Sequence, residues 1–499
     1  TIANIERLRQ GAGAVLTGQQ VALFTGPLYT LLKAATILRR AQDTGSVPVF
    51  WLASEDHDLA EADHVTLPAR HALYTLRLQR DDAPDSGSPG AEPVARPVGN
   101  LPLGPGIIPL LDRTAELIGG TPEFDLLAAC YTPGATFTSA FARFLARTFA
   151  DQGLIVVDAS TRAFHALGAP VLRHAIAHAD ELEAALHARD RLLAERGYHS
   201  QVLVAPGSSL LFLIDEDDGE QPHAPAPGTP TGDHPNAPTS GTPGTPTGAR
   251  LPLRRKNGMW FTTSGSARTP YSTADLLALC DAAPERLSPN ALLRPVFQDY
   301  LFPTQAIIGG PAEIAYYAQN QVLYQAILGR TTPVLPRLSA TLIEPSIAKI
   351  LDHDQLTLED ILTTHPDELA QRLGARGLPI EGKRRLSAAG NALDDELGAL
   401  LAWTEALSPD LGRAAQVSAS KMRYQMNRLR RLAASYQLQR DQSIRRRVDT
   451  LTFNLFPDRH PQERAIGGIA WLARYGAPLL TALIEHASQD CPGHKAIWL

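Results

Sequence analysis

The sequence predicts an α/β fold, a doubly wound sheet that carries an antiparallel helical coiled coil. Strand, turn and helix recur as units along the chain, the pattern of a sheet with helices on both faces. The run Val47-Pro48-Val49-Phe50-Trp51-Leu52-Ala53 is nearly all apolar, as a strand covered on both sides requires. From about Lys383 the texture turns to Ala, Leu, Arg and Glu. There Leu386, Leu393, Leu397, Leu400 and Leu407 are spaced by three, four and seven, a coiled-coil seam.

The first strand is Ala14-Val15-Leu16, between Gly13 and Gly18. Residues 27–40 carry apolar side chains at 28, 31, 32, 35 and 38, a helical period, and Pro27 suits the first turn. The strand at 47–53 follows. A Pro/Gly/Asp-rich loop spans 81–97, and 137–150 reads as helix. Another buried strand, 153–158, precedes a helical stretch over 161–196, with strands expected at 201–205 and 210–214. Residues 219–249 hold eight Pro and six Gly and bury too little apolar surface to order, so a disordered loop inside a hairpin is expected. Its acidic shoulder, Asp215 to Asp218, reads as solvated. Then come a strand at 259–262, a helix at 289–300 kinked by Pro295, and a strand at 305–308. Gly309-Gly310-Pro311-Ala312-Glu313 opens a helix to about Leu328. In the hairpin, one helix ends near Leu407, Ser408-Pro409-Asp410 recaps the next, and that helix runs to about Leu451. Leu429, Leu432, Tyr436, Ile444 and Val448 continue the stripe. The implied segments are 1–70 (first part of the core), 71–150 (an insertion), 151–350 (remaining core and second insertion), 351–451 (helical region with hairpin) and 452–499 (helices returning to the core).

With 499 residues and 44% apolar content, two or three domains are expected. A net charge of −6 offers no basic footprint for nucleic acid. No run approaches 18 apolar residues, so no membrane span is expected, and the first residues lack a signal-peptide layout. Cys130, Cys280 and Cys491 fit neither a disulfide framework nor a zinc site, which points to a reducing cytoplasm.

Two segments concentrate the chemistry. Thr17-Gly18-Gln19-Gln20 ends the first strand, and Tyr29 and Lys33 share a face of the next helix. Backbone N–H groups and a helix start there suit an anion, with Lys33 as its charge partner. The bland alternative is a tight turn with an exposed Tyr–Lys pair. Glu55, Asp56, His57, Asp58, Glu61, Asp63 and His64 place seven ionisable groups within ten residues. Flanking carboxylates are expected to raise the His57 pKa and suit it to acid–base work. A helix cap by Ser54 explains part of the pattern. His57, Glu61 and His64 also fall at helical spacings, so a metal site is the alternative. Asn290, Arg294 and Gln298 are expected on one helix face, with Arg294 able to fork to a carboxylate or phosphate. Arg445-Arg446-Arg447 reads as a solvated face, and His174 and His178 as surface residues.

In combination these motifs resemble the bacillithiol biosynthesis cysteine-adding enzymes. The resemblance rests on Thr17 to Gln20, Gly26-Pro27-Leu28-Tyr29-Thr30 with Lys33, and Phe50 to Asp58. Gly197 to Val202, Asn290 to Pro295 with Gln298-Asp299, Gly309 to Glu313 with Tyr316, Leu455-Phe456-Pro457 and Gln462-Glu463-Arg464 agree. The chain departs in the 219–249 insertion and in a shorter lead before the first strand.

The resemblance implies a Rossmann-like core with connecting insertions and a protruding coiled coil used for homodimerisation. It implies a ligase joining cysteine to glucosaminyl-malate through an activated carboxylate, with ATP or another nucleotide as activator and no metal. On that reading His57 is the base, supported by Asp58 or Glu55. Gly18, Gln19 and Gln20 hold an anionic group, Lys33 or Arg294 neutralises charge, and Gly309, Gly310 and Glu313 line the opposite wall. Tyr29, Asp56, His64, Asn290, Gln298 and Tyr316 complete the binding set. The rivals are a metal-dependent hydrolase or deacetylase using His57, Asp58, Glu61 and His64, and a non-enzymatic dimeric scaffold built on the hairpin.

Overall fold

A computed structural model describes residues 1–69, 72–79, 95–215, 248–264, 267–488 and 493–499. The chain divides into two compact units, Thr1–Ala340 with Glu463–Lys495, and Thr341–Gln462 with Ala496–Leu499. The expected loop at 219–249 and Cys491 fall largely or wholly outside the described residues.

The first unit holds twelve named strands. β1 (Ala14–Gln19) and β2 (Val47–Leu52) are followed by the hairpin β3 (His64–Pro68) and β4 (Leu73–Arg77), then β5 (Ile155–Asp158). β6 (Ser208–Ile214), β7 (Arg250–Lys256), β8 (Met259–Ser264), β9 (Ala267–Tyr271) and β10 (Leu287–Pro289) come next, then β11 (Thr304–Gly309) and β12 (Val334–Pro336). The central sheet is parallel in the order β12-β11-β1-β2-β5. Every residue of β2 is buried, which explains its unbroken apolar run. The order reverses between β1 and β11, where open α/β sheets bind ligands at the carboxyl ends of strands.

A second, antiparallel sheet runs β10-β6-β7-β8-β9. Ile214 pairs with Arg250, so the Pro/Gly-rich insertion does join two antiparallel strands. One apolar cluster, including Leu16, Val49, Trp51, Val157, Leu211 and Phe297, is shared by both sheets. Phe297 lies edge-on to Trp51 at 6.3 Å. Gly168 lets the helix Arg162–Ala177 approach the Phe297 ring so closely that a Cβ there would collide with it.

Several boundaries differ from expectation. The stretch 161–196 is two helices, Arg162–Ala177 and Ala179–Glu195, which meet at His178. Residues 201–205 form no strand. The helix expected from 289 begins at Arg294, so Pro295 lies in its first turn, where a missing N–H costs nothing, and no kink results.

In the second unit, Ile343, Leu351, Leu369, Val448, Leu451 and Leu455 form the core. The hairpin is Ile380–Leu407 and Pro409–Arg440, and the Ser408 side chain caps the second helix at Asp410 N. That helix spans 32 residues, about 48 Å. It ends short of Leu451 because Asp441 starts a new helix, its carboxylate accepting from Ser443 N. Ile444 and Val448 therefore belong to the core and not to the seam. The seam itself is made by small residues. Gly390, Leu397 and Thr404 on one helix and Gly412 and Ala419 on the other are buried along it, whereas Ala434 is buried where the helix Pro366–Arg376 packs on, its carbonyl against Gly374. A Cβ on Gly390 would strike Arg430. Close approach through glycine and alanine leaves Leu400, Trp403, Leu407, Leu429, Leu432 and Tyr436 exposed, each more than half accessible.

Candidate active site at the carboxyl ends of the parallel strands

Between β1 and the helix Tyr29–Thr44 the chain makes a tight turn at Leu23–Thr25. Phe24 and Thr25 sit at φ of 49° and 72°, a region that ordinarily strains residues other than glycine. Tyr131 holds the turn: its hydroxyl accepts from Thr25 N and donates to Ala22 O, and its ring meets Phe24 edge-on at 5.1 Å. The turn aims Tyr29 and Lys33 at the strand ends. Lys33 is buried, and its ammonium contacts Gly18 O at 2.6 Å, Gln19 Oε1 at 3.0 Å and Glu313 Oε2 at 2.6 Å. Burial draws its pKa down, against the pull of Glu313. Glu313 also accepts from Gly310 N at 2.7 Å, which caps the helix Pro311–Leu328. The Lys33 charge is thus already matched, so it is a clamp between elements and not the free cation expected from sequence.

Above the clamp lies a cavity of about 360 Å³. Gly18, Gln19, Gln20, Tyr29, Gln298, Gly310, Glu313 and Tyr316 line it, as the sequence suggested, together with Asp56 and Arg294. Gly309 does not line it; it backs the wall, where a Cβ would press on Glu313 at 3.2 Å. Glu61, Arg337 and Arg464 complete the lining. Arg337 is committed to Glu463 in a buried pair at 2.7 Å. The side chains of Arg294 and Arg464 make no hydrogen bond or ion pair among the described residues, so their guanidinium donors are open to an anion. The Tyr316 phenol is pushed well up by burial and then by Glu313. Burial, then the charges of Asp58 and Asp56, raise the Glu61 carboxyl.

A second cavity, of about 400 Å³, shares Asp56, Ala291 and Arg294 with the first. His57, Phe212, Arg250, Arg254 and Asn290 also line it. His57 is placed here, but not with the support expected. Asp58 caps the short helix Leu59–Ala62 through Glu61 N, and its carbonyl accepts from Gln20 Nε2. Glu55 turns away into the core. It meets His165 Nε2 at 2.8 Å and accepts from Ser288 Oγ at 2.8 Å. His57 Nδ1 instead faces Arg250 Nη1 at 2.9 Å. Burial and then Arg250 lower the His57 pKa, outweighing Asp56 and Asp58, the reverse of the expected shift. Burial raises the Asp56 carboxyl, but Arg294 and Arg250 prevail and hold it low.

Asn290 is structural. Its side-chain oxygen accepts from Leu292 N and Leu293 N, ahead of the helix that carries Arg294 and Gln298, so the three do not share a helix face. Ser54 is no helix cap; it donates to Asp158 Oδ1 at 2.6 Å. His64 opens β3 beside Asp63 and lines a third cavity, which shares Gln19, Gln20, Tyr29, Glu61 and Arg464 with the first. The helical spacing proposed for a metal is therefore not realised. Among the described residues no three His, Cys, Asp or Glu side chains converge as a metal site.

Arg250, Arg254, His165 and Arg337 were not legible as site residues. Each lies in an ordinary strand, helix or loop composition with no motif around it, and only the folded chain brings them to the strand ends. Arg464 had a signal, its place in Gln462-Glu463-Arg464, but no sequence argument set it beside Tyr29.

Residues 1–338 match the family model described as Bacillithiol biosynthesis BshC, N-terminal Rossmann-like domain, and residues 340–499 match Bacillithiol biosynthesis BshC, C-terminal coiled-coil domain. The chain is 40% identical over 501 residues to a protein of Koribacter versatilis, across 99% of this chain and 86% of that one. It is 33% identical over 494 residues to one of Solibacter usitatus, across 98% and 84% of the two chains. A protein of Salinibacter ruber is 32% identical over 509 residues, across 100% and 85%. All three carry the name "Putative cysteine ligase BshC".

The Glu55–His165 pair generates a stability signature. Burial opposes ionisation of both, yet Glu55 raises the His165 pKa above 6.5, and His165 and Arg250 draw Glu55 below 4.5. The histidine's contribution is complete below its unfolded value and is lost as pH rises through the raised one. The carboxylate's contribution is present above its unfolded value and is lost in acid. The melting-temperature gap between wild type and His165→Gln should be widest between about pH 4.5 and 6.5 and shrink as the pH rises through the raised histidine value. A gap independent of pH would show that the pair is not ionic.

Proposed function

The chain belongs to the BshC family of bacillithiol biosynthesis, and from that premise we propose that it joins the carboxylate of L-cysteine to the amine of glucosaminyl-malate. It is an enzyme of the ligase class, as its curated relatives are named. The observation that supports this reading best is the pair of cavities that meet at Asp56 and Arg294. Joining two substrates calls for two compartments with one shared wall.

In the assignment we favour, cysteine occupies the cavity of His57 and Arg250, its carboxylate directed to Arg294 and its ammonium to the ionised Asp56. Glucosaminyl-malate occupies the cavity above Lys33, its malate carboxylates on Arg464 and its amine towards Glu61. Fixing amine and acyl carbon where the two cavities meet removes much of the entropy of their encounter. The attacking nitrogen must shed a proton as the C–N bond forms. Glu61, whose carboxyl is raised by burial and neighbouring acids, suits that role better than an ordinary carboxylate.

A nucleotide is the activating co-substrate in this reading; when bound it supplies the leaving group that a free carboxylate lacks. The chain fits its anionic part in one respect, the Arg294 guanidinium beside the carboxylate to be activated. The backbone does not add a cradle at Gly310, whose N–H is already taken by Glu313. We further propose a homodimer through the exposed apolar stripe of the hairpin, and a cytoplasmic setting. Among the described residues no helix is long and apolar enough to cross a membrane.

Incubation with cysteine, glucosaminyl-malate and each nucleotide in turn should yield a thiol of the amide's mass with at least one of them. Glu61→Gln should slow the same reaction by about 10²-fold or more with the fold intact. Absence of product with every nucleotide contradicts the ligase assignment, and full turnover in the variant contradicts the base assignment.

The double change Leu429→Glu with Leu432→Glu should yield monomers at concentrations where the wild type sediments as a dimer. Charges on a buried, unpaired surface cost several kcal/mol, roughly 3–5. A wild type that already sediments as a monomer overturns the dimer.

A further inference from the structure

We propose that Arg250 locks His57 as the Nε2–H tautomer, so that His57 serves as a fixed hydrogen-bond donor to the acyl oxygen and not as the base; this rests on the cavity between His57 and Arg294 being the ligase site. The chemistry is one-sided. A guanidinium has five donors and no acceptor. Arg250 Nη1 lies 2.9 Å from His57 Nδ1, so Nδ1 accepts and the ring proton resides on Nε2. Nε2 has no partner among the described residues, and the ring lines the cavity.

Arg250 is itself over-determined. It is 3% exposed. Its Nε donates to Ser288 Oγ at 3.1 Å, its Nη2 donates to Pro289 O at 3.2 Å, and its Cζ lies 3.8 Å from the centre of the Phe212 ring. Ser288 Oγ in turn donates to Glu55, which is paired with His165. A chain of five side chains thus reaches from the core to the imidazole. Such a chain fixes orientation in the way second-layer partners fix a catalytic histidine. Arg250 is a positioning residue in this arrangement; His57 is the group that meets the substrate.

The charged groups facing His57 are Arg250, Arg294, Asp56 and Asp58. Together with burial, the two arginines keep the imidazole neutral, so that Nδ1 can accept from Arg250 while Nε2 carries the one ring proton. When the amine attacks the acyl carbon, negative charge gathers on the acyl oxygen. A preorganised N–H aimed at that oxygen stabilises the transition state more than the ground state. The proton released from nitrogen goes elsewhere, to Glu61 in the reading above, so His57 begins and ends the step in the same protonation state.

The test uses the whole protein labelled with ¹⁵N in its histidine rings, with the His57 signals assigned by their loss in His57→Gln. The expected spectrum has His57 Nδ1 unprotonated and Nε2 protonated, unchanged across neutral pH. Arg250→Met should return the ring to a mixture of tautomers, and Arg250→Lys should restore part of the bias. In the ligase assay, His57→Ala should lose about 10²- to 10³-fold in turnover. His57→Gln, which keeps an N–H donor but no basic nitrogen, should stay within about tenfold of wild type on the same scale. Protonated Nδ1 in the wild type overturns the lock, and equal loss in the Gln and Ala variants overturns the donor role. The spectrum is read without substrate, so a protein that makes no amide fails the ligase reading while the tautomer is still decided.

Discussion

A buried ammonium, that of Lys33, ties together three separate parts of the fold. Its partners are the carbonyl end of β1, the side chain of Gln19, and the carboxylate at the start of the helix Pro311–Leu328. An ammonium removed from water costs several kcal/mol unless its donors are matched. Here all three are, and the same contacts tie the helix after β1 to the helix after β11 at the switch point. Glu313 has a double task, since the oxygen that meets Lys33 also accepts from Gly310 N. The floor of the cavity is therefore rigid, and its charge is internally balanced.

Balance at the floor decides what the walls can do. With Lys33 and Arg337 both committed, Arg294 and Arg464 are left to meet an anion, and Asp56 and Glu61 to meet an ammonium or a proton. This alternation suits zwitterionic and carboxylate-bearing substrates better than a uniformly basic pocket would. The two carboxylates also differ in setting. Arg294 and Arg250 hold Asp56 ionised, whereas burial and like charges lift Glu61. Environments that push two titratable groups apart are how one site separates a charge partner from a proton acceptor.

The architecture was legible because strand burial and helix period write themselves into local sequence. The Gly18-Gln19-Gln20 strand end, Tyr29, Arg294 and Gln298 were legible as pocket residues for the same reason: polar groups directly after an apolar strand have few structural uses. What failed was partner assignment. Lys33 and Glu313 are 280 positions apart, and His57 and Arg250 are 193 apart. No spacing rule links them, so Lys33 looked free and His57 looked surrounded by acids. The hairpin failed differently. Its leucines repeat as a seam, but Gly390, Gly412 and Ala419 fill much of the contact between the helices, and Leu400, Leu429 and Leu432 face outwards. Helix breaks at His178 and Asp441 were missed because neither carries Gly or Pro.

The central claim, that the Lys33–Glu313 pair organises the site, is tested most directly by a double-mutant cycle in denaturant. Lys33→Met alone leaves Glu313 without its cation and should cost about 3 kcal/mol, the low end for a broken buried pair because Glu313 keeps some solvent access. Adding Glu313→Gln, which preserves the cap on Gly310 without the charge, should recover at least about 1 kcal/mol of that loss. Simple additivity of the two changes, or a Lys33→Met protein as stable as the wild type, would contradict the account.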